Sequence, residues 1–552
     1  GIHVYKAADP VCRALEEAGA LLKREEFLHS YPHSWRSKAP LIYRATPQWF
    51  IPMDGPQQIR EKALAALDAT KFVPEQGRNR IRSMVESRPD WCISRQRAWG
   101  VPIAIFVRKS DKSILGDEAV LNRIVEIFRA EGADAWYARP AADFLGENYD
   151  PEDFEQVMDI VDVWFESGST HAFVLRDRGM PWPADLYLEG SDQHRGWFQA
   201  SLLEAVGTRG TAPFKAIVTD GFVLDEQGRK MSKSLGNVTA PQEVIGKFGA
   251  DILRLWVMNS DIHNDLRIGP EIVKQQADLY RRLRNTLRWL LGSLEGFTEA
   301  EKVEPAGMPE LERLILHRLS EIDALVRAAI ASHDWTGVYP AIHQFCAGDL
   351  SAFYFDIRKD ALYCDRADSL RRRACRTVLD VLHRCLSTWL APVLPFTAEE
   401  AWLARFGDGE DVSVHLERFP VLPAEWRDEA LAAKWNEIRA IRRLATTQLE
   451  EARRNGDINA SLQARLTLTL SVEDPDRLAQ VDWAEVCIVS DAEVLIDAAP
   501  RGPAPEAMPL RAMPAVEVAP GAKCVRCWRV LPEVGENPAH PDLCRRCCEA
   551  VE

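Results

Sequence analysis

No stretch of this 552-residue chain stays apolar for the roughly 18 residues that a membrane span needs, and no secretory leader opens it. Those two absences exclude a spanning helix and lead us to expect a cytoplasmic protein with no membrane partner. Positive charge is also in deficit. Lysine and arginine number 68 against 83 acidic residues, for a net charge of −15, which argues against a surface generally coated by nucleic acid. It leaves room for a local basic patch, because only the local field sets phosphate attraction. No internal repeat is visible. The chain opens Gly1-Ile2-His3-Val4 with no initiator methionine, and we read it as an excerpt of something longer. Cysteines are scarce until the end: seven of the twelve are scattered singly and five crowd into the last thirty residues. That distribution suits a reducing compartment with one metal site rather than a disulfide framework.

What is present points to a multidomain globular protein. An apolar share of 46% and a charged share of 27% are ordinary, and the length calls for roughly three to five domains. Residues 1 to 45 form a short mixed segment with a helix expected over Pro10 to Glu25. From 46 to 271 strand-like and helix-like runs alternate, the pattern of an α/β, Rossmann-like sheet with crossover helices. Asp185 to Glu189 reads as a buried strand, Gly190-Ser191-Asp192 as a turn, and His194 to Ala205 as a helix that Ser191 or Asp192 caps. From 272 to 425 the pattern is helical, with Leu311, Leu314, Leu316, Leu319, Ile322 and Leu325 on one apolar face, and implies an α-helical bundle. Residues 426 to 515 read as a small α+β segment. It has a helix over Glu429 to Arg453, a strand with alternating Leu466, Leu468 and Leu470, a second strand over Cys487 to Ser490, and a Pro- and Ala-rich tether from Ala498 to Pro514. Residues 516 to 552 are the cysteine-rich tail.

Three groups of residues carry chemistry. Lys230-Met231-Ser232-Lys233-Ser234 follows a strand-like run and the turn Asp225 to Gly228. Two lysines on a small-residue loop can close on a polyphosphate and meet the charge that develops as pyrophosphate leaves; a solvated basic loop is the competing reading. Glu189, Asp192, Gln193 and His194 crowd a strand-to-helix turn, where open α/β sheets bind ligands, and could hold an ammonium group and ribose hydroxyls; a plain cap-and-turn role competes. Trp164 and Trp197 are candidates to wall an apolar side-chain pocket, or simply core. Cys524-x-x-Cys527 and Cys544-x-x-Cys547, sixteen residues apart, have the spacing of a four-thiolate zinc site, with Cys548 as a neighbouring thiol that could compete. So short a tail has almost no core, and the metal should fold it. Lys523, Arg526, Arg529, Arg545 and Arg546 make it basic, for phosphate contact or for solubility. Arg281, Arg284 and Arg288, and the cluster Arg371, Arg372, Arg373 and Arg376, are candidate nucleic-acid faces or merely solvated arginines.

Several of these stretches, in order, resemble the bacterial-type isoleucyl-tRNA synthetases, a class I family. They are the run from Arg88 to Pro102 (RPDWCISRQRAWGVP), Asp162 to Gly168 (DVWFESG), Tyr187 to Phe198 (YLEGSDQHRGWF) and Gly228 to Asn237 (GRKMSKSLGN). Gly249 to Trp256 (GADILRLW), Leu390 to Glu400 (LAPVLPFTAEE) and the cysteine tail with Trp528 after Cys527 complete the series. The likeness runs over essentially the whole chain. It implies an ATP-dependent enzyme that makes isoleucyl-adenylate and then charges tRNA(Ile), with isoleucine, ATP and Mg2+ as partners in the reaction and one structural Zn2+. By the same resemblance Glu189 contacts the adenylate, with Gly190, Asp192 and Gln193 lining that site. Trp164 and Trp197 enclose the isoleucine side chain, Lys233 binds ATP phosphates and Lys230 assists. The helical region holds the anticodon stem and the zinc tail reaches the anticodon end; a monomer is expected.

Three departures qualify the resemblance. No His-x-Gly-His occurs, so the family's other ATP-binding element and the half of the catalytic domain that carries it are missing, as is most of the editing insertion, of which residues 1–45 resemble the end and connection. No editing residue is assigned, although rejecting valine is the standard illustration of why editing is needed. Asp220 stands where the family commonly has histidine, and serines at 34 and 37 stand where some relatives carry cysteines of another zinc site. Alternatives are a valine- or leucine-specific relative, or a tRNA-binding fragment with no chemistry of its own.

Overall fold

The computed structural model describes residues 1–34, 37–97, 99–232, 235–471, 475–496 and 511–552. They fall into two units. One comprises Gly1–Lys71, Arg78–Tyr187 and Asp192–Lys215, the other Phe72–Gly77, Leu188–Ser191 and Ala216–Glu552.

In the first unit the expected N-terminal helix is shorter than its sequence pattern, running Ala8–Glu17 rather than to residue 25. Gly19, at φ +66°, ends it: its N–H donates to Glu16 O and the Ala20 N–H to Leu15 O, the paired bonds of a glycine-terminated helix. Short antiparallel pairs follow, Phe50–Ile51 with Trp91–Cys92, Ser94–Arg95 with Ile160–Val161, and Phe106–Arg108 with Phe154–Gln156. An aromatic cluster of Phe106, Trp136, Phe144 and Phe154 forms a small core beneath the Glu118–Glu131 helix. The central helix, Trp197–Arg209, is buried on every side from Phe198 to Val206. That explains why it has no amphipathic stripe to read.

A three-stranded sheet runs in the order Lys71–Val73, Ala216–Asp220, Tyr187–Gly190, and all its residues but Lys71 and Tyr187 fall in the second unit. The middle strand is buried for four residues of five, while the Tyr187–Gly190 strand lies at an edge. The expected buried strand is therefore corrected: only Tyr187 is buried, and Leu188 and Glu189 are exposed. Six α-helices and the π-helical segment Phe345–Phe355 build the bundle, from Pro270–Ser293 to Pro395–Phe406. Its core holds Leu311, Leu314, Leu316, Leu319 and Ile322, but Leu325 faces solvent. The long helix Glu429–Asn455 leads to Ala464–Ser471, which pairs parallel with Asp491–Ile496 and antiparallel with Arg511–Val518. Leu466, Leu468 and Leu470 are fully buried on one face of that strand, as alternation predicts. Cys487 to Ser490 is not a strand. Cys487 closes the helix Trp483–Cys487 and Ile488 turns left-handed at φ +56°. Residues 511–514 of the expected tether belong to a strand instead, and residues 498–510 lie outside the described ones. Among the described residues no helix is long and apolar enough to cross a membrane.

Candidate functional site

The turn after Gly190 is a short 3-10 segment, Ser191–His194, and the buried helix begins only at Trp197. Neither Ser191 nor Asp192 caps it. Gln193 does, its Oε1 accepting the Trp197 N–H at 3.1 Å. The N-cap residue is Gly196, and a Cβ there would stand 2.5 Å from Gln193 Oε1 and 2.9 Å from the Trp164 ring. Glycine at 196 thus lets Gln193 and Trp164 converge. Trp164 comes from the helix Val163–Gly168 and keeps 43% of its surface exposed. Trp197 is pinned: its ring stacks on Tyr187 at 4.2 Å and 3°, and its Nε1 donates to Ser167 O and Thr170 Oγ1, both at 3.0 Å. Asp192 is exposed, 3.5 Å from Gln193 Nε2. These four residues belong to the first unit.

Glu189 and Gly190 belong to the second unit, where Glu189 Oε2 accepts the Gly190 N–H at 3.2 Å and the carboxylate faces solvent. The lysine loop is in the same unit and is framed by two residues that the sequence reading did not single out. Asp225 is buried; its Oδ1 accepts the N–H groups of Gln227 and Arg229, and its Oδ2 accepts Asn237 Nδ2 at 2.9 Å and Arg229 Nε at 2.9 Å. Those bonds, Asn237 first, hold the Asp225 carboxyl at about 2. Asn237 also takes the Ser232 N–H at 2.9 Å and donates to Lys230 O at 3.2 Å, so one side chain spans the loop. Lys230 is exposed. Lys233 and Ser234 lie outside the described residues. The signal for Asp225 and Asn237 was present, an aspartate opening a turn and an asparagine seven residues past the first lysine, but polar residues in turns are too common to stand out.

The tail assembles as its spacing requires. Sulfurs of Cys524, Cys527, Cys544 and Cys547 all lie within 4.8 Å of one another and all four residues are buried. Cys527 Sγ and Cys544 Sγ are 3.7 Å apart, close to the ~3.8 Å edge of a tetrahedron with ~2.3 Å Zn–S bonds. Burial pushes the Cys527 and Cys544 thiols up, so that their deprotonation needs a cation among the four sulfurs. The donor set fits a structural zinc. Cys548 is outside this group, its Sγ facing the carbonyls of His540 and Leu543. A second cluster, His317, Glu321 and Glu429, does not fit a metal. His317 Nδ1 accepts the Asp428 N–H at 2.9 Å, so a neutral ring carries its proton on Nε2, the one nitrogen facing the carboxylates.

The arginine clusters separate sharply. Arg371 binds Asp365 and Glu485, Arg372 donates to Leu362 O, Arg373 to Glu301 O, and Arg376 to Glu295 O. That cluster is internal bracing. Arg284 forms a bidentate pair with Glu400, while Arg281 and Arg288 stay exposed. Beside them runs a groove of about 430 Å³ lined by Arg282, Asn285, Trp289, Ser351, Phe355 and Lys359. In the tail, Arg526, Arg529 and Arg546 bond inward to Cys364 O, Ser490 O and Asp360, and Lys523 lies 5.6 Å over the Trp528 ring.

Residues 3–269 match the family described as tRNA synthetases class I (I, L, M and V), residues 312–468 the anticodon-binding domain of tRNA ligase, and residues 521–549 the zinc finger found in FPG and IleRS. Among curated relatives, the isoleucine–tRNA ligase of Gluconobacter oxydans is 62% identical over 565 residues, covering 100% of this chain and 58% of the relative. That of Ruegeria pomeroyi is 53% identical over 97% of this chain and 57% of its own length, and that of Mesorhizobium japonicum 51% identical over 98% and 55%. The chain therefore spans a little over half the length of these relatives.

Proposed function

We propose, for a chain that belongs to the class I tRNA synthetases, that it works in the ATP-dependent attachment of isoleucine to tRNA(Ile). The observation that carries the reading is 62% identity across the whole chain to an isoleucine–tRNA ligase, with strand–turn–helix, lysine loop and zinc tail in one order. In the first step the isoleucine carboxylate forms a bond to the α-phosphorus of ATP as the bond to pyrophosphate breaks. In the second, the 3′-terminal ribose hydroxyl of the tRNA takes the acyl group and AMP leaves. The attacking group is already anionic and needs no general base, so positioning and charge stabilisation do most of the work.

In this reading the exposed Glu189 and Asp192 carboxylates, with Gly190 and Gln193, hold the adenylate. Trp164 closes over the isoleucine side chain, and Trp197, pinned against Tyr187, backs the pocket rather than moving with the substrate. Lys230 and Lys233 draw the pyrophosphate charge, with Mg2+ on the phosphates. The Asp225–Asn237 frame keeps the loop in shape between encounters. The bundle, with boundaries near 272 and 425, takes the anticodon stem along the Arg282–Lys359 groove, and the tail beyond 516 carries one structural Zn2+. The enzyme is a monomer acting in the cytoplasm.

Pyrophosphate exchange by the full-length protein with isoleucine, valine and leucine in parallel tests this. Exchange that is fastest per mole with isoleucine supports it; preference for valine or leucine moves the chain to a sister specificity. No exchange with any of the three, alongside intact tRNA binding, would leave only the binding role.

A further inference from the structure

A helix leaves its last four carbonyls without intrahelical donors. For the bundle helix Asp356–Cys364 every one of those four is accounted for, and half of the account lies in the cysteine tail. The Asp365 N–H donates to Ala361 O at 3.3 Å and Arg372 Nε donates to Leu362 O at 3.3 Å. Tyr363 O accepts Arg526 Nη2 at 3.2 Å, and Cys364 O accepts Nη1 of the same guanidinium. Arg526 sits inside a cysteine pair, between Cys524 and Cys527, and its Nη1 is also 3.7 Å from Cys547 Sγ. The other pair carries the same device. Arg546, between Cys544 and Cys547, forks onto both oxygens of Asp360, at 2.7 Å on one arm, and reaches Asp365 Oδ1 at 3.2 Å. Asp360 is in this helix and Asp365 is its C-cap residue. Each arginine immediately precedes the second cysteine of its pair. A cation at a helix C-terminus also suits the helix dipole.

We propose that the two metal-bound knuckles are the C-terminal cap of the Asp356–Cys364 helix, so that metal occupancy and the order of that helix end form one coupled equilibrium. The tail is too small to hold its shape by apolar burial, so the ligand sulfurs fix where the two guanidinium groups stand. Losing the metal withdraws both at once. Two carbonyls then lack donors, and Asp360 and Asp365 keep Arg371, at 3.4 and 2.7 Å, with Ser369 Oγ also on Asp365 at 3.5 Å. The coupling does not stop at the helix end. Lys359 and Phe355 line the bundle groove, so the groove loosens with it. By reciprocity, damage at the helix end weakens metal binding by the same factor. The proposal stands on the four-cysteine site alone and is independent of which amino acid the enzyme uses.

Amide hydrogen exchange on the 552-residue chain tests it, zinc-loaded against chelator-treated, with Arg526→Ala and the outward-facing Arg545→Ala alongside. Chelation and Arg526→Ala should each speed exchange at residues 361–365 by roughly tenfold or more, the scale of losing charge-assisted bonds. The Glu310–Ser332 helix and the Arg545→Ala variant should exchange as before. Should Arg526→Ala fail to hold zinc, Arg526→Lys keeps the charge but cannot span two carbonyls. Zinc-bound Arg526→Lys with faster exchange at 361–365 supports the cap; zinc-bound Arg526→Lys with unchanged exchange overturns it. Chelation that empties the site while residues 361–365 stay protected overturns it on its own.

Discussion

Single side chains divide here between those that face chemistry and those that hold the facing ones still. Lys233 belongs to the first kind in our reading. Replacing it with alanine removes a cation where charge grows in the transition state, and adenylate formation by the full-length enzyme should fall by roughly 10²–10³-fold, by analogy with loss of one oxyanion donor. Lys233→Arg should recover only part, because a planar guanidinium is not a compact ammonium. Exchange within a few-fold of wild type in Lys233→Ala would remove the residue from the site. Glu204 belongs to the second kind. It is buried against Gly168, its Oε1 has no hydrogen-bond partner, and burial pushes it up to about 8 from an ordinary 4.5. A native acid with a raised value keeps a proton that the unfolded chain has released. Its contribution to stability is therefore full below 4.5, declines as pH rises, and is lost by about pH 8. Glu204→Gln, neutral at every pH, should keep a constant offset from wild type below about pH 4 and gain on it by roughly 1.4 kcal/mol per pH unit from about pH 5 toward pH 8. Urea unfolding at four pH values measures this, and a gap that does not widen would mean that the carboxyl is solvated after all.

At the scale of elements, legibility followed periodicity. The bundle helices and the Ala464–Ser471 strand could be read because each buries one face and exposes another, so Leu466, Leu468 and Leu470 announce a strand by alternation alone. Trp197–Arg209 is buried all round, and its start was misplaced by three residues because a 3-10 turn and a glutamine cap left no Ser or Asp signature at the true N-terminus. The Cys487–Ser490 run, expected as a strand, is a helix end, because Ile488 turns left-handed. Arginine clusters were the least legible, since sequence shows charge but not the carbonyl or carboxylate that consumes it; Arg371 to Arg376 turned inward and Arg282 faced the groove. The metal site was fully legible, because paired cysteines have few other uses at that spacing. Close packing of two helices gives a test at this scale. A Cβ at Gly168 would collide with Glu204 and stand 3.0 Å from the Ala200 backbone. Gly168→Ala should therefore destabilise the first unit by about 1–3 kcal/mol. Because Gly168 ends the helix that carries Trp164, it should also raise the KM for isoleucine more than it changes the KM for ATP. A melting temperature equal to wild type would show that the helices part without cost.

At the scale of the whole molecule, the question is which parts of the reaction 552 residues can perform. In the proposed reading Glu189 and the lysine loop contribute donors and charges to one wall of an ATP site, and no His-x-Gly-His occurs anywhere in the sequence to supply the other. Activation by this chemistry is chiefly positioning: two reactants held between rigid walls gain most of their rate from the geometry that both walls impose. With one wall, ATP should bind loosely, its α-phosphate not presented to the carboxylate. The chain assayed by itself should therefore give no isoleucine-dependent pyrophosphate exchange, while its bundle and metal-folded tail still bind tRNA weakly, with affinity falling steeply as salt rises. Among the described residues the Tyr187–Gly190 strand lies at an edge of its sheet, the position at which a neighbouring strand adds. Supplying the N-terminal portion of the Gluconobacter relative in trans should then restore measurable exchange. Isoleucine-dependent exchange by the purified chain alone would contradict the argument, and would mean that the two lysines and the Glu189–Gln193 turn assemble a complete site without a second wall.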